Sequence, residues 1–212
     1  PDRPLTANGH ARLLARLLDE IDLRGVTVAG ISYGGEIAAL LAAFCPERVA
    51  GLVLICPTGI GSHAVFLRAP LLRTALRMLL RIILPNRRIA DALSRRSFYD
   101  ISSRPPGLVD RYLQLLGRPG NLDSLISAVE DIWSRGGRLP AIVRSLTAPV
   151  CVVWGENDRT IPPTRAASLG RAGEHVRTVF LEVCGHSVAL EKPAELSRII
   201  FADDNFSPPK KV

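Results

Sequence analysis

One stretch of sequence decides the fold of this chain, Val26-Thr27-Val28-Ala29-Gly30-Ile31-Ser32-Tyr33-Gly34-Gly35-Glu36. A short apolar run meets Gly-Ile-Ser-Tyr-Gly, and an Ala/Leu-rich run to Phe44 follows. The pattern predicts a strand, a tight turn and a helix, with Ser32 at the apex of the turn. It fits Gly-x-Ser-x-Gly, in which a sharp strand-to-helix turn exposes the serine as a nucleophile. We expect glycine at positions 30 and 34 because side chains there would collide with neighbouring backbone.

Other interpretations of this stretch stay open at the level of the motif alone. A glycine-rich turn whose serine only caps the next helix would have the same sequence pattern. A phosphate-binding loop is disfavoured because no Gly-Lys-Ser/Thr follows, and a dinucleotide fingerprint because Gly30, Gly34 and Gly35 do not fit G-x-G-x-x-G.

The composition is typical of a globular protein, and neither a metal nor another cofactor is expected. Hydrophobic residues make up 47% and charged residues 22% of the 212 residues. The sequence contains no apolar run long enough to span a bilayer and no signal-peptide pattern at its start. The cysteines and histidines lack metal-ligand spacing, and the cysteines are expected to be buried, reduced thiols of a cytoplasmic protein. They stand at Cys45, Cys56, Cys151 and Cys184, and at His10, His63, His175 and His186.

The basic charge is confined to the middle of the chain. Residues 58–147 hold 14 Arg and 6 Asp/Glu, a net charge of +8, whereas the whole chain carries +7. No nucleic-acid motif accompanies these arginines and no aromatic residues alternate with them, so nucleic-acid binding is not expected.

Four apolar runs are predicted to form an α/β fold, with parallel strands flanked by helices. The predicted strands are Val26–Gly30, Ala50–Cys56, Pro149–Trp154 and Arg177–Val183. Between the second and third strands the helical patterns predict a cap inserted into the core. The predicted division is core 1–57, cap 58–147, core 148–202 and a flexible tail 203–212.

The first apolar helix of the predicted cap carries a row of arginines. The run from Leu67 to Leu84 is strongly apolar, with Arg73, Arg77 and Arg81 four residues apart. We expect its apolar side to cover the core and its arginines to lie in water. A helix lying on a membrane surface is the alternative that the pattern favours less.

Three residues with complementary chemistry follow three of the predicted strands. Ser32 follows the first strand, Asp158 the third and His186 the fourth, and open α/β sheets place their sites at this edge. A serine hydroxyl needs a base, histidine titrates near neutral pH, and a carboxylate fixes the tautomer of the imidazole. Glu156 is a rival for the acid, and each residue also has a purely structural explanation, as a cap or a loop residue.

Several motifs together resemble the α/β-hydrolase superfamily, and most of all its small bacterial esterases, haloperoxidase-like enzymes and C–C hydrolases. The motifs are Gly30-Ile31-Ser32-Tyr33-Gly34-Gly35, Pro46-Glu47-Arg48-Val49, Trp154-Gly155-Glu156-Asn157-Asp158, Gly185-His186 and Glu191-Lys192-Pro193. The resemblance implies Ser32 as nucleophile, His186 as base, Asp158 as orienting acid and the backbone N–H of Tyr33 as an oxyanion donor. Members of this superfamily have further strands and a His-Gly oxyanion loop ahead of the helix that begins here near Thr6. We therefore expect this chain to be part of a longer hydrolase.

The expected function is that of a serine hydrolase cleaving an ester or related acyl bond of a small-molecule substrate. One alternative is a C–C bond hydrolase, whose carboxylate-bearing ring-fission product the arginine-rich cap would hold. Another alternative is a catalytically impaired fragment or a binding protein on a hydrolase scaffold. The sequence does not reveal the oligomeric state.

Overall fold

The computed structural model describes residues 6–61, 69–134 and 136–201. The predicted tail 203–212, residue His63 and the beginning of the apolar run at Leu67 lie outside the described residues.

The described part of the chain forms a four-stranded parallel sheet in the order β1-β2-β3-β4. The strands are β1 Val26–Ile31, β2 Val49–Ile55, β3 Val150–Gly155 and β4 Val176–Leu181. This confirms the predicted fold class, and each strand differs from its predicted bounds by one or two residues at an end. Strands β2 and β3 are almost wholly buried because each pairs on both sides, whereas β1 and β4 are half-exposed at the two edges.

Ten α-helices and two short 3-10 turns accompany the sheet in the described residues. The helices are α1 Ala7–Glu20, α2 Tyr33–Phe44, α3 Pro70–Ile83, α4 Arg87–Ser97, α5 Leu108–Leu116, α6 Asn121–Ser134, α7 Leu139–Ser145, α8 Ala166–Gly170, α9 Val188–Glu191 and α10 Pro193–Phe201, and the 3-10 turns are Ile101–Ser103 and Pro163–Arg165. None of the helices in the described ranges is both long and apolar enough to cross a membrane. Thr6 caps α1 as its sequence position predicts, because its hydroxyl accepts a hydrogen bond from the Gly9 amide at 3.3 Å.

The main hydrophobic core joins the sheet to the helices on its two faces. Trp154 is its largest fully buried side chain, and the core also contains apolar residues of α2. Leu139 and Val143 of α7 are also fully buried in this core, and the Leu139 amide donates to the Gly59 carbonyl at 3.0 Å. The last helix of the predicted cap therefore packs with the core, and the cap boundaries stay a prediction.

A second, smaller cluster of buried residues joins α3 to α6. It contains Leu80, Leu84 and Ile126, and it is separate from the main core. Leu76 is partly buried against it. The cluster gives these helices an apolar contact of their own.

The outer surface of α3 is different from what its sequence predicts. Arg77 donates to the Glu130 carboxylate of α6 at 2.7 Å, Arg73 to the same group at 3.3 Å, and Arg81 pairs with Asp123. The arginines thus lie against acidic partners instead of standing alone in water. The apolar arc of α3 is wider than its contact with α6, so large aliphatic side chains remain exposed. They are Leu71, Leu72, Met78, Leu79 and Ile82, with Leu71 84% and Ile82 72% exposed.

The separate cluster leads to a prediction about local stability. Replacing the fully buried Ile126 with Ala should cost about 2–5 kcal/mol in the stability of the α3–α6 pair, because a cavity would replace the side chain. Native-state hydrogen exchange should then accelerate at the amides of α3 and α6 and stay unchanged at those of β2 and β3. Leu169→Ala, in the main core, is the matched variant and should accelerate exchange in the sheet. Equal acceleration in both regions by Ile126→Ala would show that no separate cap unit exists.

Candidate active site

Ser32 lies in a strained turn between β1 and α2. Its backbone has φ +53° and ψ −119°, a conformation that residues other than glycine rarely adopt. Hydrogen bonds hold the turn in place: the Ser32 amide donates to the Ile55 carbonyl at 2.9 Å, and the Ser32 carbonyl accepts from Gly35 and Thr58, both at 3.0 Å. Strain of this kind persists only where the surroundings fix it, and it is typical of functional turns.

Glycine is required at two positions around this turn, and one of them is not the predicted one. A Cβ atom on Gly30 would lie 2.7 Å from the Gly35 nitrogen and closer still to the Gly34 carbonyl, so the prediction for Gly30 agrees with the structure. A Cβ atom on Gly34 would meet no atom of the described residues within 4 Å, so the prediction for Gly34 is wrong. The crowded neighbour is Gly35, where a Cβ would lie 2.8 Å from the Cβ of Pro57.

Tyr33 begins α2 directly after the serine. The first amides of a helix have no acceptor within the helix, so the Tyr33 N–H is suited to binding an anion beside Ser32. Its phenol donates to Asp131 Oδ2 of α6 at 2.9 Å, and the same oxygen accepts the Ala7 amide at 2.8 Å. Burial and the Asp131 carboxylate raise the pKa of Tyr33, so the phenol stays protonated. Asp131 of α6 therefore joins the residue after the serine to the start of α1.

Asp158 lies in the turn that follows β3 and is buried. Its Oδ1 accepts the amides of Thr160 at 2.7 Å and Ile161 at 2.9 Å. Burial alone would raise the pKa of Asp158, but hydrogen bonds from His186 and from the amides of Ile161 and Thr160 hold it below its usual value. The carboxylate is therefore ionised at neutral pH. Glu156, the rival acid, has an exposed side chain.

His186 lies in the loop that follows β4, beside Asp158. The His186 Nδ1 atom is 2.7 Å from Asp158 Oδ2. Since an ionised carboxylate only accepts, this geometry assigns the proton to Nδ1 and leaves Nε2 as the atom able to take up a proton. The two loops also touch through their backbones, because the Asn157 amide donates to the Cys184 carbonyl at 2.9 Å.

Cys56 is a neighbour of this pair that the sequence did not single out. It follows β2 with φ +42°, and its Sγ atom, an Asp158 carboxylate oxygen and a His186 ring nitrogen all lie within 4.8 Å of one another. Burial raises the pKa of the Cys56 thiol, which is therefore neutral. The residue before it, Ile55, accepts the Ser32 amide, so Cys56 lies between the serine turn and the Asp158–His186 pair. These three side chains are of types that bind metal ions, but an ion here would have to break the Asp158–His186 hydrogen bond.

An apolar cavity adjoins the histidine loop. It has a volume of about 300 Å³ and lies between α4, α5 and residues 187–190. Its lining includes Leu93, Phe98, Val109, Tyr112, Ser187 and Leu190. None of the residues that line it is charged. Two larger depressions lie beside Glu156 and beside Arg111, and neither they nor the apolar cavity are lined by Ser32, Asp158 or His186.

The comparisons with known proteins agree with this architecture. A sequence model described as "Alpha/beta hydrolase family" matches residues 1–199. The chain is 27% identical over 197 residues to a 2-hydroxy-6-oxononadienedioate/2-hydroxy-6-oxononatrienedioate hydrolase of Cupriavidus pinatubonensis, covering 90% of this chain and 66% of that protein. It is 22% identical over 205 residues to the human monoacylglycerol lipase ABHD6, covering 92% of this chain and 60% of that protein. The chain thus spans about two thirds of the length of these curated relatives.

Two solved structures with the same fold are 20% and 22% identical in sequence to this chain. An esterase from Thermogutta terrifontis superposes with a TM-score of 0.76 at 20% identity, covering 96% of this chain and 74% of that one. A 2-hydroxy-6-oxo-6-phenylhexa-2,4-dienoate hydrolase from a Rhodococcus strain gives 0.75 at 22% identity, covering 94% and 70%. At these identities the similarity establishes the fold alone.

The crowding around the serine turn leads to a prediction with a built-in control. Gly30→Ala should lower the free energy of unfolding by about 3 kcal/mol or prevent folding, because the new methyl group meets backbone atoms that cannot move aside. Gly34→Ala should leave it unchanged or raise it by less than about 1 kcal/mol, since its methyl group meets open space and alanine favours a helix. Denaturant unfolding of both variants measures the difference. Equal losses would contradict the described geometry of the turn.

Proposed function

The chain belongs to the alpha/beta hydrolase family, and we propose that it carries the Ser32–His186–Asp158 site of a serine hydrolase that cleaves an ester or related acyl bond. One observation carries the proposal. The buried carboxylate of Asp158 lies 2.7 Å from Nδ1 of the His186 imidazole. Both residues follow the carboxyl ends of parallel strands, as Ser32 does in its strained turn.

In the proposed reaction, Ser32 attacks the substrate carbonyl while His186 Nε2 takes the hydroxyl proton. The negative charge that develops on the carbonyl oxygen is stabilised by the N–H of Tyr33. His186 then returns the proton to the leaving alcohol, and an acyl group remains on Ser32. A water molecule, deprotonated by His186, attacks this acyl group; the acyl–Ser32 bond breaks, His186 returns the proton to the Ser32 oxygen, and the carboxylic acid is released. Asp158 keeps its charge throughout and stabilises the imidazolium.

The proposed substrate is a small-molecule ester with an apolar acyl or alcohol part. The cavity that adjoins the histidine loop at Ser187 supports this choice, because its lining is mostly apolar and lacks charged residues. We propose that residues 58–147, or most of them, act as the cap that determines specificity. The chemistry proposed here requires no cofactor.

A C–C hydrolase is the second candidate, and the names of several curated relatives favour it. Such a substrate carries carboxylates, and the arginines of α3 would be the natural groups to bind them. Those arginines already pair with Glu130 and Asp123 of α6. This pairing favours the ester, and turnover of simple esters against a ring-fission product distinguishes the two candidates.

For the whole protein, we further propose contact with a membrane surface and a location in the cytoplasm. The exposed aliphatic side chains of α3 support the first, and the four free, buried cysteines support the second. Fractionation of cells that produce the protein, into cytosol and membranes with and without a salt wash, tests both. Recovery from the cytosol alone would contradict the membrane contact, and recovery outside the cell would contradict the location.

The site itself predicts covalent labelling of one serine. A fluorophosphonate probe should label the protein at Ser32, because the proposed base activates that hydroxyl, and Ser32→Ala should reduce labelling at least a hundredfold. Ser145→Ala, at an exposed serine at the end of α7, should label like the unaltered chain. In-gel fluorescence and mass spectrometry of the labelled peptide provide the measurement. Absence of labelling in a folded chain would favour the binding-protein alternative.

A further inference from the structure

The carboxylate of Glu191 accepts three backbone hydrogen bonds near the proposed base. Its Oε1 accepts the Gly185 amide at 2.9 Å, and its Oε2 accepts the amides of Tyr99 at 2.8 Å and Asp100 at 3.1 Å. Gly185 immediately precedes His186, whereas Tyr99 and Asp100 follow α4. One side chain thus joins the histidine loop to a segment that is about 90 residues away in the sequence.

Further contacts strengthen the same junction. The Ser187 amide, on the other side of the histidine, donates to the Ser97 carbonyl at 2.9 Å. A Cβ atom on Gly185 would lie 2.7 Å from the Tyr99 nitrogen, so the two backbones touch without an intervening side chain. The end of α4 also reaches the turn of the acid, since Arg96 Nε donates to the Arg159 carbonyl at 2.9 Å.

We propose that Glu191 is a positioning residue for His186 and couples the placement of the imidazole to the position of residues 97–100. The inference rests on the proposed function of Ser32 and His186. The bond to Asp158 fixes the distance of Nδ1 but leaves the backbone of the loop to be held by other groups. Glu191 and Ser97 hold that backbone on the two sides of the histidine. Hydrogen bonds to a charged acceptor are about twice as strong as neutral ones, which suits a carboxylate that receives three amides.

Glutamine is the informative replacement because it changes one atom. Its side-chain nitrogen donates and does not accept, so in Glu191→Gln either Gly185 or the Tyr99–Asp100 pair would face another donor. The loop or the α4 end would then be released while the volume of the side chain stays the same. Glu182→Gln is the matched control, since Glu182 lies exposed in the same connection between β4 and His186.

The experiment measures labelling kinetics and amide exchange on the full chain. Glu191→Gln should lower the maximal rate constant of fluorophosphonate labelling about tenfold and change the half-saturating probe concentration less than twofold, because positioning acts on the reaction step. Amide exchange should accelerate about tenfold at Gly185 or at Tyr99 and Asp100, and stay unchanged in β2 and β3. Glu182→Gln should match the unaltered chain in both measurements.

Three results would overturn the proposal. The first is an unchanged labelling rate constant in Glu191→Gln. The second is a loss of labelling that is fully explained by a lower midpoint of thermal unfolding, because this would indicate a merely structural role. If Glu191→Gln does not fold, Glu191→Asp is the second variant, which keeps the charge and should lower the labelling rate constant about threefold. The third overturning result is a labelling rate constant of Glu191→Asp equal to that of the unaltered chain. An unaltered chain that does not label at all rejects the proposed function, and with it the positioning role, whereas labelling that is insensitive to Glu191 rejects this inference alone.

Discussion

The site depends on backbone segments that approach each other closely at the carboxyl ends of the strands. Gly30 lies against Gly34 and Gly35 at the serine turn, and a Cβ on Gly155 would lie 2.5 Å from the Cys184 carbonyl oxygen. Only residues without a side chain permit these distances, so the serine turn can fold tightly on itself and the turns after β3 and β4 can approach each other. The positive φ of Ser32 and the contact between Asp158 and His186 both lie next to these close backbone approaches.

The electrostatics of the site follow from the same packing. Because burial disfavours a charge, Asp158 stays ionised only through the donors that surround it: two backbone amides on one oxygen and His186 on the other. At Cys56, burial raises the pKa of the thiol despite a backbone hydrogen bond from Gly155, so the thiol is neutral instead. The negative charge of Asp158 thus faces the imidazole that would become positive during the proposed reaction.

Local patterns in the sequence predicted the sheet, the serine turn and the order of the three candidate residues. Strands β2 and β3 are buried on both faces, so their continuous apolar runs predict them without any knowledge of tertiary contacts. The rest depends on partners that are distant in the sequence. The arginines of α3 pair with acidic residues of α6. The phenol of Tyr33 donates to Asp131, which lies 98 residues away in the sequence, and Glu191 accepts from the amide of Tyr99, which lies 92 residues away. Likewise, whether Gly34 or Gly35 is crowded depends on where Pro57 lies, and no local pattern encodes that position.

The burial of every thiol has a practical consequence. The chain contains four cysteines, all of them free and all of them buried in the main core. They lie in different places: Cys45 at the end of α2, Cys56 after β2, Cys151 in β3 and Cys184 in the histidine loop. An alkylating reagent can reach such a thiol only when the surrounding layer opens. The protein therefore carries native reporters of its own opening, and the order in which the four thiols react would show which part of the scaffold separates first.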